Sequence, residues 1–248
     1  MLRINVGGVT FVDGAAANRT RECFLISPEG FLGWRGLPTG RREALARAMQ
    51  HGEHDVPVFL PSRVVTLSGW ILAADEETLE YKADQIAGLG AAGQRIEMVV
   101  TSGGRTLRAF GRRVAAEVED VPGGATEAPF EIQFVFADPR KYGDIREIPS
   151  RGVAVPVAHK GNFPASPEFV LQEPPSSYSI TSPGGTFTVI GSTAGGTHVV
   201  SLRNGRVYRN GVEQVDVGRG DLWAVPPGTV WNHQTTVGGT IRIADTYV

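Results

Sequence analysis

The side chains best suited to metal chemistry in this sequence lie between His51 and Asp55. The segment reads His51-Gly-Glu-His54-Asp55 and offers two imidazoles and two carboxylates, which are side chains that can ligate zinc. Two histidines three positions apart face one ion when the segment is helical, but Gly52 and Pro57 favour a loop. We therefore predict an exposed loop here and no metal site.

The sequence motifs of common enzymes are missing. There is no Gly-x-Ser-x-Gly turn, no phosphate-binding glycine loop between a strand and a helix, and no His-Glu-x-x-His. Cys23 is the single cysteine, which excludes an intramolecular disulfide, and its apolar neighbours are typical of a buried segment. We expect no catalytic residue and no cofactor.

Composition and charge narrow the class of protein further. The 32 glycines and 16 prolines among 248 residues favour many short strands joined by tight turns. The 24 basic and 26 acidic residues leave no basic excess for recognition of nucleic acid. No apolar stretch is long enough to span a membrane, and the N-terminus alternates like a strand and lacks the pattern of a signal peptide. We expect the protein to be made and folded in a cytoplasm.

A strand that runs into a helix organises the first half of the chain. Residues 64 to 72 are mostly β-branched, aliphatic or aromatic, which predicts a strand with at least one buried face. Asp75 is placed to cap a helix, and Leu79, Ala83 and Ile86 form one apolar stripe along it. We predict that this helix covers an antiparallel sheet.

Two or three strands within residues 1–38, three later strands and a second helix complete the predicted first domain. Strands at 96–101, 105–119 and 130–136 form an antiparallel meander, and the second helix covers residues 41–50. In the 105–119 strand, the pattern predicts a buried face formed by Phe110, Val114, Ala116 and Val118. In the 130–136 strand, it predicts burial of Phe130, Ile132, Phe134 and Phe136.

The second half of the chain contains only strand and turn patterns. Residues 144–160 are rich in Pro and Gly, which predicts a linker between a domain at 1–150 and a domain at 160–248. Beyond it we predict strands at 168–172, 177–181, 186–190, 197–202, 206–209, 222–225, 229–233 and 240–246. Asn-Gly pairs at 204–205 and 210–211 favour tight hairpins. The predicted fold is mainly β, with an antiparallel N-terminal domain carrying one or two helices and a C-terminal β-sandwich.

Five short segments, in their order and spacing, carry a family resemblance. They are Arg63-Val-Val-Thr-Leu-Ser-Gly69, Phe134-Val-Phe-Ala-Asp-Pro139-Arg-Lys-Tyr142, Gly161-Asn-Phe-Pro-Ala-Ser-Pro167, Asn204-Gly-Arg-Val-Tyr-Arg-Asn-Gly211 and Leu222-Trp-Ala-Val-Pro-Pro-Gly228. Over nearly its full length the chain resembles the distal tail (Dit) proteins of long-tailed bacteriophages. The resemblance implies a virion protein that forms a ring, expected to be a hexamer, at the tip of the tail tube. It also implies a galectin-like fold for the second domain and no catalytic residues.

The same resemblance implies several protein partners. They are further copies of the chain, the tail tube protein, the tail-tip hub, and other baseplate or receptor-binding proteins. A closed ring needs heterologous contacts, in which one face of a subunit meets a different face of the next. The strand at 105–119 carries arginines at one end and glutamates at the other, so the candidate contact residues are Arg105, Arg108, Arg112, Arg113, Glu117 and Glu119. The alternative is an ordinary solvated strand face.

A second resemblance offers an enzymatic alternative. The segment from Gly220 to Trp231 is similar to the second metal-binding motif of the cupins, which are metal-dependent β-barrel enzymes. Trp231 stands where the metal-ligating histidine belongs, His233 is shifted by two positions, and His198 stands alone upstream. A degenerate cupin-like metalloprotein is therefore the alternative, and a Pro-Gly turn between sandwich strands explains the same residues.

A carbohydrate-binding sandwich is the remaining alternative. Exposed aromatic side chains can stack on sugars, and the candidates are Tyr178, Tyr208, Trp223 and Trp231. The alternation of the strands predicts that at least two of the four lie in the core.

Overall fold

The computed structural model describes residues 1–14 and 22–248, which divide into two compact units. Unit 1 is Met1–Lys141 together with Val248, and unit 2 is Tyr142–Tyr247. Within the described residues, no helix combines the length and the apolar character required to cross a bilayer.

Unit 1 is a β-barrel closed by its own strand pairing. Its strands in the described part of the chain are β1 (Leu2–Val6), β2 (Val9–Val12), β3 (Cys23–Leu32), β4 (Arg63–Leu72), β5 (Ile96–Ser102), β6 (Arg105–Val118) and β7 (Glu127–Phe136). Their order is β6-β5-β1-β2-β3-β4-β7, and β7 also pairs with β6. Closure leaves no free sheet edge in this ring of strands.

The strand pairing in unit 1 confirms the predicted meander and corrects one expectation. The pairs β5–β6 and β6–β7 are antiparallel, as predicted, and so are β1–β2, β1–β5, β3–β4 and β4–β7. The pair β2–β3 is parallel, which the all-antiparallel prediction missed. A parallel pair needs a connection longer than a hairpin turn, and residues 13–22 separate these strands.

The inward side chains of the barrel form an aromatic and aliphatic core. Phe130, Ile132, Phe134 and Phe136 are all buried, which confirms the alternation predicted for this strand. The ring of Phe11 lies 5.3 Å from that of Phe24 and 5.5 Å from that of Phe130, distances at which aromatic rings pack favourably.

The predicted helix is confirmed as α1 (Glu76–Gly88). Asp75 caps it, since its Oδ1 accepts a hydrogen bond of 2.8 Å from the amide of Thr78. Leu79 and Ile86 are buried, and the helix contacts β4, β6 and β7. The helix therefore covers the predicted meander.

The second predicted helix, at residues 41–50, is wrong. These residues form no helix, and Leu45 and Met49, expected on its apolar face, are 73% and 96% exposed. Short helices depend on tertiary packing of an apolar face, and here that face meets no core.

One predicted buried face is also wrong in its first half. In β6 the buried residues are Leu107, Ala109 and Gly111, whereas Phe110 and Val114 are exposed. A β-bulge between Arg113 and Ala115 shifts the register, so the even-numbered residues turn inward only after it. Ala116 and Val118 are accordingly half-buried.

Unit 2 is a two-sheet sandwich, as predicted. Its strands are β8 (Lys141–Arg151), β9 (Val155–Ala158), β10 (Glu168–Gln172), β11 (Tyr178–Ser182), β12 (Gly185–Val189), β13 (Thr197–Ser201), β14 (Arg206–Arg209), β15 (Val212–Gln214), β16 (Gly218–Gly220), β17 (Val230–Thr235) and β18 (Gly238–Tyr247). One sheet has the order β15-β14-β13-β10-β18-β8 and the other β16-β12-β11-β17-β9. Phe169, Ile180, Phe187, Val200 and Ile241 belong to the core cluster of this unit.

The domain boundary and three strand assignments in this half differ from the prediction. Residues 144–160 are not a linker, because they hold most of β8 and all of β9, and the units divide after Lys141 instead. Pro156 lies in the edge strand β9, where a missing amide donor costs no ladder bond. Residues 222–225 form only a bridge, Val225 to Ala165, and β15 and β16 were not predicted.

Candidate assembly surface

The basic end of β6 is fixed by bonds within unit 1. Arg105 and Arg112 are exposed and Arg108 is half-buried. The Nε of Arg108 lies 3.5 Å from the Oε1 of Glu97 on β5, and Arg112 donates through Nη1 to the carbonyl of Gly93. This end is therefore an ordered cationic surface with Arg105 and Arg112 open to solvent.

Arg113 has a structural role. Its Nη1 donates to the carbonyl of Ala87 at 2.6 Å and approaches that of Ile86 at 3.4 Å, at the C-terminal end of α1. A cation there donates to carbonyls of the last helical turn, of which that of Ile86 also accepts from the amide of Leu89, and it opposes the negative end of the helix dipole. Arg113 is thus half-buried in the support of the helix, and it is the weakest of the six predicted contact residues.

The acidic end of β6 carries an unfavourable charge pair. Glu117 and Glu119 are exposed, and Glu117 lies directly opposite Glu131 on β7. Glu131 is exposed as well. Like charges at directly opposed positions destabilise a strand pair, and a cation supplied from outside would relieve the repulsion.

The two charged ends of β6 are far apart. A strand advances roughly 3.3 Å per residue, so Arg105 and Glu119 are separated by roughly 45 Å. The outermost of the six predicted residues therefore lie at opposite ends of the strand, whereas Arg113 and Glu117 are only four positions apart. Opposite charges at opposite ends suit contacts with two different neighbours.

A long exposed segment, which we call the arm (residues 37–62), lies between β3 and β4. Two isolated antiparallel bridges, Arg41 to Phe59 and Ala46 to Glu53, hold it together. Arg42 forms ion pairs with Glu53 and, at 3.7 Å, with Asp55. Sequence analysis missed the arm, because the helical spacing of Leu45, Ala48 and Met49 predicted a helix there instead.

The histidine segment lies on the arm. His51, His54 and Asp55 are exposed. Within the part of the chain that the structure describes, no group of three His, Cys, Asp or Glu side chains is placed to hold a metal ion.

Two buried cations hold the base of the arm. Arg63, 1% exposed, donates through Nη1 to the carbonyls of Gly33 (2.7 Å), Trp34 (3.0 Å) and Gly36, and through Nε to that of Pro139 (3.0 Å). Because Arg63 directly follows the arm and residues 33–36 precede it, this one guanidinium ties both ends of the arm together.

The second buried cation reinforces the same contact. The Nζ of Lys141 donates to the carbonyl of Trp34 at 2.8 Å, and the side chain is 5% exposed. Burial, together with the charges of Arg63 and Arg105, lowers the pKa of Lys141 to about 8, and burial also lowers the pKa of Arg63. Charge-assisted hydrogen bonds from Arg63 and Lys141 to backbone carbonyls therefore hold the base of the arm. Burial of these two cations carries a cost in free energy.

A groove of about 460 Å³ opens on the barrel beside β3 and β4. Its lining residues are mainly apolar: Leu2, Asp13, Gly14, Leu25, Ile26, Ser27, Pro28, Phe31 and Trp70. The Oδ2 of Asp13 accepts a hydrogen bond from the amide of Leu2. Its Oδ1 is buried and has no hydrogen-bond partner among the described residues.

The four aromatic candidates for sugar stacking in unit 2 are divided between core and surface. Tyr178 and Trp223 are core residues, 5% and 6% exposed, so the stacking role suggested for them is wrong. Tyr208 and Trp231 are half-buried. The hydroxyl of Tyr178 donates to Nδ1 of His198 at 3.0 Å, and burial raises the pKa of Tyr178.

The histidines of the cupin alternative are held in hydrogen bonds. Nε2 of His233 accepts from the indole N–H of Trp223 at 3.1 Å, and Nδ1 lies 3.2 Å from the carbonyl of Trp231. Nδ1 of His198 accepts from the hydroxyl of Tyr178. Nε2 of His198 donates to the carbonyl of Thr193 at 2.9 Å. Both rings are buried, and these bonds occupy the lone pairs that a metal would need.

Comparison with known structures identifies the fold. The SPP1 Dit (gp 19.1) protein, described as a paradigm of the hub adsorption apparatus in phages that infect Gram-positive bacteria, matches with a TM-score of 0.70 and 15% identity over 100% of both chains. A chain of the phage P2 baseplate in its activated conformation with Ca matches with a TM-score of 0.55 and 5% identity, over 100% of this chain and 98% of that one. No protein-family model and no curated protein matches the sequence.

Proposed function

We propose that this protein is a structural virion protein of a phage tail tip, which forms a hexameric ring between the tail tube and the host-recognition hub. The observation that carries the proposal is the agreement in fold with the SPP1 Dit protein over the whole length of both chains. The distal tail resemblance of the sequence points to the same role. The role proposed is that of a scaffold without catalysis, since the buried histidines of unit 2 are committed to hydrogen bonds.

The surface of unit 1 supports an assembly role. The basic and acidic ends of β6 suit head-to-tail contacts, and Glu117 opposite Glu131 would gain from a neighbour's arginine. We assign ring formation and contact with the tail tube and the hub to unit 1. Unit 2 is then a peripheral platform for other baseplate or receptor-binding proteins.

Light scattering coupled to size-exclusion chromatography tests the proposal on the full chain. We expect a species six times the mass of one chain, visible as a ring by negative-stain microscopy. Glu117→Arg places a cation at the acidic end and should weaken the ring, and Arg105→Glu in the same chain should restore part of it. A monomer at every concentration would refute the proposal.

A further inference from the structure

His159 begins the loop that joins β9 to β10 (residues 159–167), and its side chain is buried. Its Nε2 lies 2.7 Å from the carbonyl oxygen of Phe163. A carbonyl oxygen can only accept a hydrogen bond, so Nε2 carries a hydrogen in the neutral ring as well as in the cationic ring. The other ring nitrogen, Nδ1, is therefore the position at which His159 gains or loses a proton.

Nδ1 of His159 faces an acceptor and a donor at nearly equal distances. Oδ1 of Asp245, on β18, lies 3.2 Å away, and the amide nitrogen of Gly161 lies 3.3 Å away. A protonated Nδ1 can donate to Asp245, whereas an unprotonated Nδ1 can accept from the amide of Gly161. Nδ1 cannot form both bonds at once, so the protonation state of the ring decides which of them forms.

The charged groups that face the ring are Asp245 and Arg146. Oδ1 of Asp245 also accepts from the amide of Lys160 at 2.9 Å and from Nη2 of Arg146, on β8, at 2.7 Å. Burial would raise the pKa of Asp245, but the hydrogen bonds from Lys160 and His159 and the charges of Arg146 and His159 outweigh it and lower this pKa. Asp245 is therefore ionised throughout the range in which histidines ordinarily titrate.

The backbone at Gly161 has little room to move. A Cβ at this position would lie 2.0 Å from the carbonyl oxygen of Thr246 and 2.5 Å from Cε1 of His159. The amide of Phe163 donates to the same carbonyl of Thr246 at 3.1 Å. Because the loop is packed this closely on β18, the amide of Gly161 cannot turn to another acceptor unless the loop moves away from β18.

We propose that His159 is a proton-controlled switch, which moves one hydrogen bond between Gly161 and Asp245. In the neutral state Nδ1 accepts from Gly161 and holds the loop. When Nδ1 takes a proton from solvent, it donates to Asp245, and the buried amide of Gly161 loses its acceptor. A buried donor without an acceptor is unfavourable, so acid should open the loop at Gly161. The switch lies within unit 2 and does not depend on the proposed assembly role.

Hydrogen–deuterium exchange of the full chain, read by mass spectrometry, tests the switch in any state of assembly. Exchange of the Cε1 hydrogen reports the titration of His159, and overlapping peptides report the amide of Gly161. After correction for the intrinsic effect of pH, the Gly161 amide should exchange at least about 10-fold faster with the cationic ring than with the neutral ring. Equal corrected rates on the two sides of the titration would overturn the proposal.

Two variants identify the groups that operate the switch. Asp245→Asn removes the negative charge that favours the cationic ring, so the midpoint of the His159 titration should fall by about 1 pH unit. Its matched control is Glu213→Gln, which removes an exposed carboxylate of unit 2 that pairs with Arg206 at 3.3 Å. The control should move the midpoint by less than about 0.3 pH unit, because solvent screens a distant exposed charge.

The second variant, His159→Gln, cannot titrate at this position, so the corrected exchange of the Gly161 amide should no longer depend on pH. Exchange that still rises in acid would show that another group opens the loop, and the proposal would be wrong. An unchanged midpoint in Asp245→Asn would likewise refute the transfer of the bond to Asp245.

Discussion

Replacement of Lys141 by methionine should stabilise unit 1 near neutral pH. Lys141 is buried, and the fall of its pKa from 10.5 to about 8 means that its charged form costs about 3 kcal/mol of folding free energy. Methionine has a similar length and no charge. The variant loses the bond to the carbonyl of Trp34, worth about 1 kcal/mol. That carbonyl keeps its bond to Arg63 at 3.0 Å, so no buried acceptor is left unpaired.

The expected net effect of Lys141→Met at pH 7 is a gain of about 2 kcal/mol. The sign follows from proton binding. Below pH 8 both the folded and the unfolded chain bind the Lys141 proton, so wild type bears the full cost of the buried charge. Between pH 8 and 10.5 the unfolded chain keeps this proton and the folded chain releases it, so the stability of wild type rises with pH. The advantage of the variant should therefore vanish near pH 10.

Urea denaturation followed by tryptophan fluorescence measures this difference at pH 7 and pH 9.5. The difference between variant and wild type is the informative quantity, because other groups titrate equally in both. A loss of more than about 2 kcal/mol at pH 7 would show that the charged bond to Trp34 outweighs the burial of the charge. A difference independent of pH would show that Lys141 does not titrate in this range.

Four further predictions follow from the same contacts. Arg63→Met should cost at least about 3 kcal/mol, because the carbonyls of Gly33 and Gly36 lose their donor, and should raise hydrogen exchange at the base of the arm. Burial lowers the pKa of His233, so as the pH falls below 6.5 the unfolded chain binds a proton at His233 before the folded chain does. Acid therefore destabilises the folded chain, and thermal melts should show a much smaller loss of stability in His233→Gln. Protein purified without chelator should contain no stoichiometric transition metal by elemental analysis, and stoichiometric metal that disappears in His233→Gln would favour the cupin alternative. The fragment 1–141, expressed alone, should form rings in micrographs; rings from the fragment 142–248 instead would reverse the proposed division of roles.

Local chemistry determined much of this fold directly from the sequence. Asp75 caps α1 because its side-chain oxygen reaches the amide of Thr78 without help from any distant residue. The alternation of residues 130–136 predicted their burial because neighbouring side chains of a strand point to opposite faces. Asn210 and Gly211 both adopt positive φ between β14 and β15, as an Asn-Gly hairpin turn requires.

Tertiary pairing decided the features on which the assembly proposal depends. The register of β6 on β7 introduces the bulge that exposes Phe110 and Val114 and places Glu117 opposite Glu131. The sequence identified the charged ends of β6 but not the facing pair of Glu117 and Glu131, which only the pairing of β6 with β7 creates. Strand alternation predicted that at least two of the four aromatic candidates lie in the core, and only the packing of the two sheets decided that these are Tyr178 and Trp223.

The arm shows most clearly where sequence reasoning ends. The residues expected to form the apolar face of a helix are spaced correctly for one, yet a helix of that length forms only where another surface packs against it. No described residue of unit 1 buries Leu45 or Met49. Arg63 and Lys141, far apart in sequence, meet at Trp34 and hold the arm at its base. Spacing therefore determined what these residues could form, and the contacts available after barrel closure determined what they did form.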